Sequence, residues 1–226
     1  MKRYNKHLEL FYVSVLLMFT IINVSNAQET VSAKDPDGNI YKTIKIGNQT
    51  WMSENLKTTK FNDGTAIPLV IDNAAWLGLN APAYCWYDND STYKNTYGAL
   101  YNGYAVNTGK LCPAGWHVSS DAEWSGLITY LGGENVAGGK LKEKGTTHWS
   151  STNPGATNES GFTALPGGSR YSNGFFFTIK NLGYWWTSIE GKTLNGWYRS
   201  IYNRNSVVSR NYYDLTNGFS VRCLKD

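Results

Sequence analysis

The sequence has 226 residues, nine Trp, 16 Tyr and a formal net charge of +4, of which +2 remains once residues 1–27 are removed. This length suits one domain with a substantial core. The charges are interspersed and form no basic stripe of the kind that contacts phosphates, so we exclude nucleic acid as a partner. Many large rings with few charges favour an aromatic core and amphipathic Tyr and Trp tips at the surface.

The first residues have the pattern of a secretory signal. Basic residues precede an apolar run at Leu10–Ile22, and Ser25 and Ala27 supply the small residues of a cleavage site. The run is shorter than the ~20 residues of a spanning helix, which disfavours a retained anchor. A lipoprotein signal needs Cys at the cleavage site, and the first Cys is Cys85. We therefore predict a signal peptide over 1–27 and a secreted, periplasmic or cell-surface protein whose mature chain does not insert into a membrane.

The start of the mature chain is predicted to be rich in β-structure. Residues 28–34 form a short lead-in, and Asp35–Gly38 is a turn signal. Ile40, Ile44 and Ile46 share one parity, which predicts a strand with one buried face. Gly47-Asn48 is a second turn leading into another strand.

The next segment is predicted to be less regular until the chain reaches a helix. Residues 60–83 are irregular, Ala83–Tyr87 is a short strand, and the polar residues 88–95 are a loop. Apolar residues from Tyr97 onward follow helical spacing, which predicts a short helix over Gly98–Val106.

The clearest helix begins at Ser120. Ser120 and Glu123 form a capping box, and apolar residues follow from Trp124 at positions i, i+3, i+4 and i+7. Gly132-Gly133 ends the helix.

The last third of the chain is predicted to consist of antiparallel strands. Asn173-Gly174, between two aromatic segments, predicts a hairpin with a type I′ turn. Two short helices early and strands late give the fold class α+β. The predicted strands are Gly183–Ser188, Gly196–Tyr202, Val207–Arg210 and Phe219–Leu224.

Five separated motifs occur in an order that resembles the Fibrobacter succinogenes major paralogous domain family. The resemblance spans 35–226, which we take as one domain. The motifs are Ile46–Leu56 (IGNQTWMSENL), Tyr97–Asn102 (YGALYN), Leu111–Val118 (LCPAGWHV), Ser120–Trp124 (SDAEW) and Gly218–Cys223 (GFSVRC).

The resemblance implies a C-type-lectin-like fold, in the version found in formylglycine-generating proteins, with two short helices, twisted antiparallel sheets and long loops. Two departures, Ser119 for a usual Pro and Gly103 for a frequent Trp, could loosen the packing around the helices. The resemblance implies no particular activity for this chain.

The three cysteines allow one intramolecular disulfide. Because export makes a disulfide plausible and the last strand of this fold class returns beside the early elements, the resemblance favours Cys112–Cys223. The pairings of Cys85 with either other cysteine stay open.

No catalytic, metal or cofactor site is predicted. The copper-handling cysteine pair and the histidine cluster of enzymes with this fold are absent from the sequence, and Glu123 is explained by its capping role. His117 is interpreted as a packed structural residue. Asp88–Ser91 offers oxygen ligands for calcium, but a solvated loop is the simpler interpretation. We expect no enzyme activity.

Residues 196–218 are the most informative stretch for function. Of these 23 residues, 15 are Tyr, Asn, Ser, Arg or Trp, the palette of recognition surfaces. We predict that this stretch displays a binding face for a glycan or a surface protein. A polar sheet that merely covers the core, a polysaccharide-acting enzyme and a structural surface or matrix component are the alternatives. The predicted ligand-binding residues are Tyr198, Tyr202, Asn203, Arg204, Asn205, Asn211, Tyr212 and Tyr213.

Overall fold

A computed structural model describes residues 32–150, 152–188 and 194–226. The predicted signal peptide, its cleavage site at Ala27 and residues 28–31 of the lead-in lie outside these ranges. The predicted α+β class is confirmed, because short helices accompany mainly antiparallel sheets. In the described part of the chain, no helix combines the length and apolar character needed to cross a membrane.

The regular elements are short. Five α-helices lie in the described ranges, and they are α1 Asn73–Leu77, α2 Lys94–Tyr97, α3 Gly103–Val106, α4 Asp121–Tyr130 and α5 Glu134–Leu141. The strands of the first half are β1 Ala33–Lys34, β2 Ile40–Tyr41, β3 Thr43–Ile46, β4 Gln49–Met52, β5 Tyr84–Cys85, β6 Leu100–Asn102 and β7 Trp116–Val118. The later strands are β8 Ser169–Arg170, β9 Phe176–Phe177, β10 Leu182–Trp186, β11 Asn195–Tyr202, β12 Val208–Asp214, β13 Gly218–Phe219 and β14 Cys223–Lys225.

The strands form four sheets. Strand β1 pairs with β2, and a four-stranded sheet has the order β3-β4-β14-β7. A five-stranded sheet has the order β5-β6-β13-β8-β9, and a three-stranded sheet has the order β10-β11-β12. Because β14 lies between β4 and β7, the last strand of the chain pairs with strands from its first half.

The Cys112–Cys223 disulfide confirms the pairing that the resemblance favoured. The two Cα atoms lie 6.0 Å apart, and the bond joins positions separated by 111 residues. Cys85 is free and buried, and burial raises the pKa of its thiol to about 12. The two pairings that involve Cys85 are therefore excluded.

The capping box at the start of α4 is confirmed. The Ser120 hydroxyl accepts from the Glu123 amide at 3.2 Å, and the Glu123 carboxylate accepts from the Ser120 amide at 2.7 Å. Gly132 and Gly133 have φ of 101° and 98° and end the helix as predicted. They also lead directly into α5, which the sequence pattern did not predict, and the expectation of two helices is wrong.

The predicted helix over Gly98–Val106 is also wrong in its first half. Leu100–Asn102 is strand β6, which pairs with β5 and β13, and only Gly103–Val106 is helical. The Asn102 side chain accepts from the Ala105 amide and so starts the helix. Pairing on both edges outweighs a local apolar pattern that fits either structure.

The two departures from the family pattern leave no gap in the packing. Ser119 is buried, and its hydroxyl donates to the Arg222 carbonyl at 3.2 Å. A Cβ added at Gly103 would lie 2.6 Å from the Leu215 side chain. The expectation of looser packing at these positions is therefore not met.

Three further predictions need correction. The first strand is broken at Lys42, and Ile40 is 64% exposed rather than buried. The hairpin at Asn173-Gly174 exists, but only Gly174 has positive φ, and the Gly174 amide bonds to the Tyr171 carbonyl. This is a type I turn followed by a glycine bulge rather than a type I′ turn. The last predicted strand is divided between β13 and β14, which belong to different sheets.

Candidate functional site

The predicted binding stretch forms strands β11 and β12 and the turn between them. Successive side chains of a strand point to opposite faces of the sheet. Trp197 lies opposite Tyr212 in the register, and Gly196 lies opposite Tyr213. The neighbours Tyr212 and Tyr213 therefore occupy different faces, and the eight predicted residues do not form one surface.

On one face, an exposed cluster forms from Trp197, Arg210 and Tyr212, which we call the Trp197 cluster. Trp197 is 39% exposed and Tyr212 is 62% exposed. Their rings meet edge to face at 5.4 Å, and the Arg210 guanidinium lies 3.5 Å from the centre of the Trp197 ring. Such a cation–π contact orients both side chains. One face of the indole is thus covered by a charge, and part of the ring remains open to a ligand.

Asp121 holds the Trp197 cluster in place. Its carboxylate accepts from Arg210 Nε at 2.9 and 3.0 Å and from Arg199 Nη2 at 2.8 Å. Asp121 is the first residue of α4, where a negative charge complements the helix dipole. Arg199 is buried, and this burial lowers its pKa while Asp121 opposes the shift. The capped helix therefore fixes the arginine that lies on Trp197.

On the opposite face, Tyr213 belongs to a second aromatic group, which we call the Tyr213 row, with Tyr171 and Phe177. Tyr171 and Tyr213 are stacked with ring centres 5.8 Å apart, and Tyr171 lies 4.6 Å from Phe177. Tyr213 is 38% exposed, and Phe177 is 39% exposed. Asn211 is exposed and has the same parity as Tyr213 along β12. These residues form a second surface without a charged partner in the row.

Two predicted residues are not on the surface. Tyr198 is 8% exposed and packs against Phe219 and Trp186, with ring centres 4.9 and 6.4 Å away. Burial raises its pKa. Asn203 is 3% exposed, and its side-chain amide donates to Ser150 Oγ at 2.8 Å. Both side chains are buried in the interior, so they are not part of the candidate surface.

The other predicted residues lie at the far end of the strand pair. Arg204 stacks over the Tyr202 ring at 5.5 Å, and Asn205 is exposed beside it. Tyr202 and Trp197 are five residues apart on one strand, which corresponds to ~16 Å. The turn is therefore separate from the Trp197 cluster.

Sequence reasoning missed the three residues that organise this site. Trp197 and Arg210 lie inside the chosen stretch, but only the strand register places the arginine next to the indole. Asp121 was interpreted only as part of a helix start, and its contact with Arg210 spans 89 positions. The alternation of a predicted hairpin could have separated Tyr212 from Tyr213 in advance.

His117 links two parts of the chain. Its Nδ1 lies 2.6 Å from Asp226 Oδ1, and its Nε2 lies 2.9 Å from Glu123 Oε1. Burial alone would lower the pKa of His117, but the hydrogen bonds and charges of the two carboxylates outweigh burial and raise it. This geometry ties the C-terminal strand to α4, in keeping with a structural role.

The described residues offer no arrangement for a metal. Among them, no group of three or more His, Cys, Asp or Glu is placed to hold an ion. At the loop considered for calcium, Asp90 Oδ1 accepts from the Thr92 amide at 2.8 Å, which is a local cap. Asp88 has φ of 50°, and burial raises the pKa of its carboxyl.

Comparison with known proteins identifies a family. Residues 44–225 match the model described as Fibrobacter succinogenes major domain. No curated protein and no solved structure matches the chain.

Proposed function

The chain belongs to the Fibrobacter succinogenes major domain family, and we propose that it is an exported, non-catalytic module that binds glycans. The Trp197 cluster is the proposed contact surface, and the scaffold is proposed to be C-type-lectin-like. The observation that carries this proposal is the partly open Trp197 indole beside the Arg210–Asp121 ion pair.

The chemistry of the cluster suits a sugar. The C–H face of a pyranose can lie on an indole ring, and its hydroxyls can bond to adjacent charged groups. Arg210 is held by the ring and by two carboxylate contacts, so little side-chain freedom is lost on binding. A surface protein remains the alternative ligand class, because aromatic and arginine residues also anchor protein interfaces.

The disulfide supports export. A bond between Cys112 and Cys223 persists in oxidising compartments and is rare in the cytosol. Purification of the protein after expression of the full chain, followed by N-terminal sequencing, tests this step. A product that begins at Gln28 supports the proposed signal peptide, and a product that begins at Met1 contradicts it.

A glycan array tests the ligand class. Binding is measured with calcium and with a chelator for the natural protein and for a Trp197→Ala/Tyr212→Ala variant. We expect saturable binding that weakens at least about tenfold in the variant, in line with the loss of an aromatic anchor. Tyr130→Ala is the matched control, because it removes an exposed tyrosine from the other end of α4.

Two outcomes would overturn the proposal. A blank array with folded protein would contradict glycan binding and favour a protein partner. If no glycan on the array binds less tightly to the double variant than to the natural protein, the Trp197 cluster is not the contact surface.

A structural role is the second candidate, because Arg170 joins two segments that each carry an exposed apolar side chain. Arg170 bonds to the Ile71 carbonyl at 2.9 Å and to the Gly174 carbonyl at 2.8 Å, which brings Ile71 near Phe175. Ile71 is 58% exposed and Phe175 is 57% exposed. Exposed apolar patches promote association. Sedimentation at rising protein concentration tests this role, and a persistent monomer would exclude it.

A further inference from the structure

A groove runs beside strands β2 and β3, and no residue of the Trp197 cluster lines it. It consists of two adjoining concavities with volumes of about 560 and 440 Å³, which share Lys42, Ser53 and Glu54. Ile40 and Ile44 line the first part, and the second part, which we call the polar part, is lined mainly by polar residues. Concave sites with an apolar wall and a few converging polar groups are the usual form of small-ligand sites.

His148 lines the polar part and is held in one orientation. Its Nδ1 lies 2.8 and 2.9 Å from the two Glu143 carboxylate oxygens, and its ring meets the Tyr97 ring edge to face at 5.9 Å. Since a carboxylate only accepts, Nδ1 carries the proton, and Nε2 of the neutral ring is an acceptor. Within the described ranges, no residue forms a hydrogen bond to Nε2. The groove is thus lined by an oriented imidazole whose Nε2 has no protein partner among the described residues.

Thr163, on the same wall, has an unusual backbone conformation. Its φ is 53°, which is rare for a β-branched residue. Asn158 holds it through two hydrogen bonds of 2.8 and 3.0 Å, and Arg222 donates to its carbonyl at 2.9 Å. Strained residues that are held firmly tend to lie at functional sites. A strained and firmly held residue therefore lines the groove.

Glu54 supplies another acceptor at the junction of the two parts. Its carboxylate lies 3.5 Å from Lys57 Nζ and is about one-third exposed. Lys42 lines the same junction, so positive and negative charges balance locally. The hydroxyls of Ser53 and Thr96 add groups that both donate and accept.

We propose that this groove is a separate binding site for a neutral saccharide unit. The apolar face of the sugar lies on Ile40 and Ile44, and its hydroxyls donate to Glu54 and to His148 Nε2. A neutral, hydroxyl-rich ligand matches a balanced charge, an apolar wall, the Glu54 carboxylate and the free Nε2 of His148. The groove shares no residue with the Trp197 cluster, so this proposal can be supported or contradicted independently of the proposed function.

The test uses neutral methyl glycosides of glucose, galactose, mannose, xylose and N-acetylglucosamine as probes. The protein purified from expression of the full chain is titrated with each glycoside, and the ring nitrogens of His148 are followed by NMR. We expect at least one glycoside to shift the His148 Nε2 signal in a saturable way. His117 is the internal control, because both of its ring nitrogens already bond to carboxylates.

Two conservative variants locate the site. Glu54→Gln and His148→Asn each remove one acceptor, and calorimetric titration, which does not depend on the His148 signal, should show binding weakened at least tenfold in each. Trp197→Ala/Tyr212→Ala leaves binding at the groove unchanged. Circular dichroism and the unfolding midpoint confirm that each variant is folded.

The outcomes are distinct. If no glycoside shifts His148, or if binding persists in both groove variants, the groove proposal is overturned. If binding is lost only in the Trp197/Tyr212 variant, the groove proposal fails while the proposed function is supported. If binding is lost only in the groove variants, the groove is the saccharide site and the Trp197 cluster is not.

Discussion

Arg222 donates through Nε to Asn55 Oδ1 at 2.7 Å, although the two residues lie 167 positions apart. Asn55 Oδ1 also accepts from Trp185 Nε1 at 2.9 Å, and its amide donates to the Tyr97 carbonyl at 2.8 Å and to Ser220 Oγ at 3.2 Å. The Asn55 side chain is thus fully used in the core. It joins the segments that carry the first, second and last family motifs.

Arg222→Lys tests how far this network determines stability. The guanidinium also donates to the carbonyls of Met52, Phe162 and Thr163, and no carboxylate contacts it among the described residues. A lysine cannot replace this fork of donors, and buried acceptors would be left unpaired. We expect the substitution to lower the free energy of unfolding by about 3 kcal/mol. Urea unfolding curves of the variant and the natural protein measure this change.

Arg204→Lys is the matched control, because Arg204 is exposed. We expect it to change the free energy of unfolding by less than about 0.5 kcal/mol. Equal effects of the two substitutions would show that the Arg222 network contributes little.

The motifs of the family therefore describe a scaffold. Asn55, Cys112 and Arg222 meet other motif residues in the interior, while Trp197 and Arg210 lie outside all five segments. This division explains why the sequence predicted the disulfide and the family but not the organisation of a binding surface.

Local signals were the most predictable part of the fold. The capping box at Ser120 needs only residues within one helical turn, and it is present as predicted. Strand β6 could not be predicted in this way, because it pairs with β5 across a loop and with β13, which lies far along the chain. The candidate site depends on the register of β11 and β12 and on the distant Asp121, which no single segment encodes.

The disulfide makes a second prediction about stability. Cys112→Ser/Cys223→Ser opens a loop of 111 residues, and the chain-entropy model gives a loss of about 5 kcal/mol. Chemical unfolding curves measure this loss. Cys85→Ala is the control and should change stability less, because it only replaces a small buried side chain.

Thiol counting checks the same assignment. The native protein should show no reactive thiol, since Cys85 is buried and its pKa is raised to about 12. The unfolded, unreduced protein should show one thiol per chain. Three thiols would contradict the disulfide.

The His117 contacts predict a pH dependence. The folded pKa of His117 is raised, so its contribution is present below its unfolded value of 6.5 and is lost as pH rises through the folded pKa. Burial alone would raise the pKa of Glu123, but the hydrogen bonds from Ser120 and His117 outweigh burial and lower it. Its contribution is present above 4.5 and is lost as pH falls through the folded pKa.

The net contribution of this pair should therefore be greatest between pH 4.5 and 6.5. Unfolding in urea across pH 4–9 measures it, and His117→Gln should remove the decline on the alkaline side. Asp226→Asn should lower the pKa of His117 in an NMR titration, because one of its two carboxylate partners becomes neutral. An unchanged titration would show that the Asp226 contact does not form in solution.

Lys142 should make the stability of the protein rise with pH in the alkaline range, opposite to the effect of His117. Its ammonium is buried and donates to the carbonyls of Asn205, Pro154 and Tyr202 at 2.8, 3.2 and 3.4 Å. Desolvation lowers its pKa to about 8 from 10.5. Between these values the unfolded chain binds more protons than the folded chain, so this residue makes stability rise with pH.

The prediction is tested by comparing the natural lysine with Lys142→Met, both in a Cys85→Ala background that prevents thiol exchange in the unfolded chain. At pH 7 the variant should be destabilised by about 2 kcal/mol, because the carbonyls of Asn205, Pro154 and Tyr202 lose their donor. The difference in the free energy of unfolding should shift in favour of the protein with Lys142 as pH rises above 8, since only that protein titrates at this position. Lys140→Met is the matched control, because Lys140 forms a surface ion pair with Glu159 at 3.0 Å. A parallel pH profile for the natural protein and Lys142→Met would mean that the ammonium is solvated in the native state.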